Sequence, residues 1–92
     1  MSYTIRYSTL IDWKRFQRIP RADQKRIKHA IEEKLTVSPE IFGKPLRQSL
    51  FGCRSLRVGE YRVIFKISGR MVDILLFGHR SVVYDTAKKI LG

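Results

Sequence analysis

The sequence predicts an α+β fold, a small twisted antiparallel sheet packed on an N-terminal helical hairpin. Three observations carry this reading. Residues 3–7 alternate, with Tyr3, Ile5 and Tyr7 on one side and Thr4 and Arg6 on the other, the period of a half-buried strand. Two stretches of helical spacing follow. Three β-rich runs, about 53–58, 61–68 and 71–78, are then separated by the two-residue turns Gly59-Glu60 and Gly69-Arg70.

Ser8 or Thr9 offers a cap for the first helix. Leu10, Trp13, Phe16 and Gln17 follow at helical spacing as far as Pro20, and Trp13 and Phe16 read as core. A second helix starts at Pro20 or Arg21. Ile27, Ala30, Ile31 and Leu35 form its apolar stripe, and Lys25, Arg26, Lys28, Glu32, Glu33 and Lys34 its charged remainder. Ser38-Pro39 ends it. So few residues separate the two helices that they are expected to form an antiparallel hairpin against the sheet. Residues 39–52 contain Pro39, Gly43, Pro45 and Gly52 and are expected to be a linking loop anchored by Leu46, Leu50 and Phe51. After the three strands, Val83, Ala87, Ile90 and Leu91 predict a last helix over 81–91. The order is β-α-α-β-β-β-α, in one domain covering residues 1–92.

Nineteen Lys and Arg oppose eight Asp and Glu, for a net charge of +11. Such a surplus repels itself and points to a polyanionic or acidic partner: nucleic acid, a nucleoprotein or an acidic protein. Cys53 is the lone cysteine, which excludes an intramolecular disulfide and a thiolate zinc site. A reduced, cytoplasmic setting is expected. The opening MSYTIRYS lacks a charged region followed by an apolar one, so no secretory signal is expected. The longest apolar run, residues 74–77, is far too short to cross a bilayer.

The first hairpin poses a physical question. A turn with glycine first suits II′ geometry, which fixes the register. Val58 then opposes Tyr61, Arg57 opposes Arg62, Leu56 opposes Val63 and Ser55 opposes Ile64. Arg57 and Arg62 face each other on the side away from the core. Like charges directly across a strand pair cost up to about 1 kcal/mol. An anion between them removes that cost, and the guanidinium fork matches phosphate oxygens. In the next hairpin Lys66 opposes Asp73, while Ile67, Phe65 and Val63 face Val72, Ile74 and Leu76 on the core side. The second face then carries Arg57, Arg62, Ile64, Leu75 and Phe77, with His79 at its end and Arg80 and Tyr84 just beyond. Phe77 is placed to stack an unpaired base. Bland roles exist for each residue alone: solvated arginines, a strand-end His79, a Tyr84 that only packs the last helix.

The segments GKPLRQSLFGCRSLRVGEYRVIF and ILLFGHRSVVY resemble the RelE/ParE superfamily of bacterial and archaeal toxins. The resemblance covers nearly the whole chain: leading strand, helical hairpin, K-P-L-R loop, R-V-G-x-Y-R hairpin and G-H-R-x-x-V-Y ending. It implies a toxin of a type II toxin–antitoxin system, neutralised by a cognate antitoxin that wraps it. RelE-like members cleave messenger RNA in the ribosomal decoding site, whereas ParE-like members poison DNA gyrase. A third reading is an inactive homologue that only binds its antitoxin. Carried over by residue, Arg57 matches a basic strand position and Arg62 the arginine of the Y-R pair. Arg80 matches the arginine after the last strand, and Tyr84 the C-terminal tyrosine. The sequence departs from the family at Ser55, where the best-studied branch has a lysine. His79 is a further catalytic candidate, and Arg54, Ser55, Phe77 and Lys66 are candidate RNA contacts.

The four matched residues favour the ribosome-dependent endoribonuclease, because a gyrase inhibitor needs no phosphate-cleaving group. RNA carries its own nucleophile, the 2′-hydroxyl. Arg57 and Arg62 would neutralise the phosphorane, and Tyr84 or His79 would take the proton. The expected products are a 2′,3′-cyclic phosphate and a 5′-hydroxyl. No cofactor, metal or membrane is implied; the expected partners are the antitoxin, the message and the ribosome.

Overall fold

In the computed structural model, which describes residues 2–92, the leading strand is β1 (Thr4–Tyr7). The helical hairpin is α1 (Trp13–Gln17) and α2 (Arg21–Ala30). The first helix starts later than expected because Asp12 caps it, its carboxylate accepting the Arg15 N–H at 3.1 Å. Ser8 Oγ is instead engaged in the preceding turn by the Leu10 N–H. The apolar stripe of α2 runs on through a π-helical turn, Ile31–Leu35, which keeps Ile31 and Leu35 buried. The expected loop over 39–52 holds three short elements: α3 (Pro39–Phe42), β2 (Lys44–Pro45) and a 3₁₀ turn at Gln48–Leu50. There follow β3 (Arg54–Val58), β4 (Tyr61–Ser68), β5 (Met71–His79) and α4 (Val83–Leu91).

The five strands form one sheet in the order β1-β5-β4-β3-β2. Its class is the α+β predicted, but the sheet is mixed rather than wholly antiparallel. Strand β1 lies parallel to β5, pairing Ile5 with Val72 and Tyr7 with Ile74. Alternation in residues 3–7 specifies a half-buried strand without specifying its direction.

Both faces of the sheet are covered. On one, Phe16, Ile27, Ile31 and Leu35 pack on Leu56, Val58, Val63, Phe65, Val72 and Ile74. On the other, α4 lays Val83 and Ala87 on Ile64, Leu76 and Leu50. Gly78 makes that second contact possible: a Cβ there would lie 3.3 Å from Val83 Cβ. Among the described residues no helix is long and apolar enough to cross a membrane.

The first hairpin has the register predicted, with Val58↔Tyr61, Arg57↔Arg62, Leu56↔Val63 and Ser55↔Ile64. Gly59 and Gly69 both have positive φ, 60° and 61°, as the first residue of a II′ turn requires. The second hairpin starts as predicted, with Lys66↔Asp73, Ile67↔Val72 and Phe65↔Ile74. A bulge then intervenes between Ile64 and Phe65, so Ile64 pairs with Leu76 and Val63 with Phe77. The expected facing of Val63 and Leu76 is therefore corrected. One extra residue on β5, Leu75, exchanges the faces of everything after it.

Candidate functional site

The site builds outward from the Gly59-Glu60 turn. Arg57 and Arg62 sit directly opposite each other on the face that α4 covers further along. Arg57 is exposed and makes no hydrogen bond or ion pair among the described residues. Arg62 is half-buried, and its Nη1 donates to the carbonyls of Gly59 at 3.0 Å and Tyr61 at 2.9 Å. The pair thus relieves its repulsion by drawing one head over the turn while leaving the other in solvent.

Arg80 joins from the β5–α4 connection. Its backbone N–H donates to the Glu60 carbonyl at 2.8 Å, and its Nε lies 3.5 Å from the Glu60 carboxylate. Arg26 approaches the same turn from α2: a Cβ on Gly59 would lie 3.1 Å from its Nη2. Sequence reasoning left Arg26 on a solvated helix face, because nothing local links α2 to a turn so much later in the chain. The guanidinium groups of Arg62, Arg80 and Arg26 therefore meet at the turn beside Arg57, with Glu60 next to Arg80 and Asp23 3.5 Å from Arg26 as the carboxylates among them.

Tyr84 lies in the first turn of α4, packed with Ile64, Leu76 and Val83. Its hydroxyl is 2.9 Å from the Ser55 hydroxyl. Ser55 stands two residues from Arg57 on the same strand face, so the phenol oxygen and Arg57 belong to one surface. Ser55 itself is only 6% exposed, too enclosed to touch RNA directly, which corrects its expected role as an RNA contact.

Three further candidates are placed elsewhere. Past the bulge, Phe77 turns to the helical-hairpin side, where its ring centroid is 4.8 Å from Phe16 and 5.7 Å from Trp13. It is half-buried there, packed against the core, and presents no stacking platform beside the arginines. His79 follows it to the same side, opposite Tyr61 and edge-on to its ring at 5.6 Å. Its Nδ1 accepts the Ser81 N–H at 3.1 Å, so the neutral ring carries its proton on Nε2. The expected convergence of His79 with Arg57 and Arg62 is thus corrected by the same one-residue bulge. Arg54 points to the helical side as well and donates from Nη1 to the Gly43 carbonyl at 2.7 Å, which ties α3 to β3.

Lys66 is exposed on the arginine-bearing side, but four residues along β4 from Arg62, about 13 Å. Its cross-strand neighbour Asp73 is held by Arg6 Nε. Burial pushes the nearby Cys53 thiol up, against the opposing pull of Lys66. On the His79 side, a groove of about 620 Å³ opens between α1 and α4, with Phe77 and Tyr61 in its floor and Arg15, Arg18 and Lys89 among its lining.

Comparison with known proteins now adds to this geometry. The model of the ParE toxin of the type II toxin–antitoxin system parDE matches residues 6–84. Toxin RelG of Mycobacterium tuberculosis is 34% identical over 86 residues, covering 91% of this chain and 98% of that protein. The crystal structure of the toxin–antitoxin complex RelBE2 from the same organism contains a chain with 30% identity and a TM-score of 0.78, covering 87% of this chain and all of the other. YafQ from Escherichia coli shares the fold at a TM-score of 0.63 with 19% identity, covering 89% and 98%. Matched along most of its length to a ParE-toxin model and to a RelG toxin, the chain belongs to the RelE/ParE superfamily as a toxin of the type II toxin–antitoxin kind.

Proposed function

We propose that the protein is a cytoplasmic ribosome-dependent endoribonuclease that cuts messenger RNA by attack of the RNA's own 2′-hydroxyl. The observation that supports this most is Arg57 paired with Arg62 on the same strand face as the Ser55–Tyr84 hydroxyl couple. A phosphodiester laid across the two strands would bring its non-bridging oxygens between the guanidinium groups. Arg57 has its donors free, and Arg62 keeps Nε and Nη2 beyond the two carbonyls that hold Nη1. Charge grows on those oxygens as the 2′-oxygen bonds to phosphorus, so fixed donors lower the barrier there. Tyr84, in its phenolate form, takes the 2′-hydroxyl proton as the O2′–P bond forms; the P–O5′ bond breaks and the leaving 5′-oxygen takes a proton from water. The products are a 2′,3′-cyclic phosphate and a 5′-hydroxyl. Arg80 and Arg26 extend the positive surface along the neighbouring phosphates, and Lys66 meets the RNA further out.

A cognate antitoxin is the expected second partner. Relatives of this fold are found in complex with antitoxins, RelBE2 among them. An acidic, amphipathic segment suits both the +11 charge and the groove beside α4.

The ParE description of the matching family favours a second reading, inhibition of DNA gyrase without RNA chemistry. A translating extract with primer extension across a reporter message separates the two. The nuclease reading expects cuts at codons in the decoding site, with cyclic phosphate ends. Blocked supercoiling with an intact message supports the second reading, and a 5′-phosphate end overturns the 2′-hydroxyl scheme.

A further inference from the structure

We propose that Ser55 is a positioning residue for Tyr84, acting through the phenol rather than on the RNA. The inference deepens the nuclease reading and rests on it. Ser55 is the buried polar residue of the described core, 6% exposed, and its Oγ makes its side-chain hydrogen bond to the Tyr84 oxygen at 2.9 Å. A buried hydroxyl stripped of its partner is costly, so each group holds the other in place.

The serine is a fixed point. Its backbone is paired on both sides, with Lys44 of β2 and Ile64 of β4. The helix carrying the phenol is fixed as well, with Val83 fully covered over Gly78 and Ala87 against the sheet. What remains free is rotation of the tyrosine side chain, and the Ser55 bond removes it. The phenol oxygen is thereby held near Arg57, which stands two residues along the same strand face, about 7 Å from Ser55.

Either hydroxyl can be the donor in this couple, and in both senses the bond fixes where the phenol oxygen lies. The outward side of that oxygen is left for the substrate hydroxyl. Ser55 itself neither gives nor takes a proton in the reaction. A hydroxyl can act in this way from a buried position where an ammonium group, lacking a carboxylate, would be costly.

Tyrosine labelled with ¹³C at Cζ tests this in the free protein, with Tyr84→Phe assigning one of the four resonances. Ser55→Ala is expected to move the Tyr84 resonance alone, and Ser55→Thr, which keeps the hydroxyl, to move it back. The other three resonances report that the variants are folded. In the translating extract, Ser55→Ala should lower kcat by about tenfold with KM unchanged. The same change in a Tyr84→Phe background should add no further loss. A Tyr84 resonance indifferent to Ser55→Ala, or a loss that persists undiminished without the phenol, overturns the proposal. If the resonance moves while the wild-type protein cuts no message, the hydroxyl couple stands and the nuclease reading falls.

Discussion

The two hairpins share strand β4 and the same glycine-led turn, yet only one delivers its side chains where simple alternation puts them. Between β3 and β4 the ladder is regular, and Arg57 and Arg62 meet on one face. Between β4 and β5 the extra Leu75 reverses the faces, and Phe77 and His79 go to the helical hairpin. The difference teaches that a bulge sorts the chemistry of this sheet. Arg57, Arg62 and the Tyr84–Ser55 couple are on one side; Phe77, His79 and the groove floor are on the other.

A charge at Leu76 should have the largest effect. The bulge turns this side chain onto Ile64 and Val83, where it is buried. Leu76→Asp is expected to lose about 3–5 kcal/mol in urea unfolding; an unchanged midpoint would mean that the bulge carries no sorting role. Phe77→Ala tests the same packing more gently. It should cost about 2–3 kcal/mol in stability, because the ring packs on Phe16 and Trp13, whereas a base-stacking residue would leave the melting curve in place.

These two predictions mark where the sequence was legible and where it was not. The α-helical stripe, both II′ turns and the first register follow from local rules, because each is decided within a few residues. The paired arginines were therefore readable, as was Tyr84 beyond the last strand. The bulge was not, since Ile74, Leu75, Leu76 and Phe77 are all apolar and carry no alternation that marks the extra residue. Leu76, Phe77 and His79, which follow it on β5, consequently lie on the face opposite to the one that plain alternation gives. Arg26 and the parallel placement of β1 depend on contacts between distant parts of the chain, which no local pattern encodes.

The turns offer a finer comparison. Gly59→Ala and Gly69→Ala both force a side chain into the left-handed region, at about 1–2 kcal/mol each. Gly59→Ala should cost the more, because its Cβ meets the Arg26 guanidinium at 3.1 Å while nothing lies within 4 Å of one at Gly69. Equal losses in thermal melts would place Arg26 away from the turn. The smallest effect has the opposite sign. Arg57→Thr removes the like-charge pair and should stabilise the protein by up to about 1 kcal/mol, as expected where a strand pair keeps a charge for its ligand.

The central claim is that the Arg57/Arg62 side of the sheet is the reacting side and the His79 side is not. Primer extension on a reporter message in a translating extract, run with Arg62→Ala beside His79→Ala, tests it most directly. Cleavage should fall by about 10²–10³-fold when Arg62 is lost and stay within about twofold when His79 is lost, given the separation of the two faces. Cleavage that survives Arg62→Ala but disappears with His79→Ala would contradict the account.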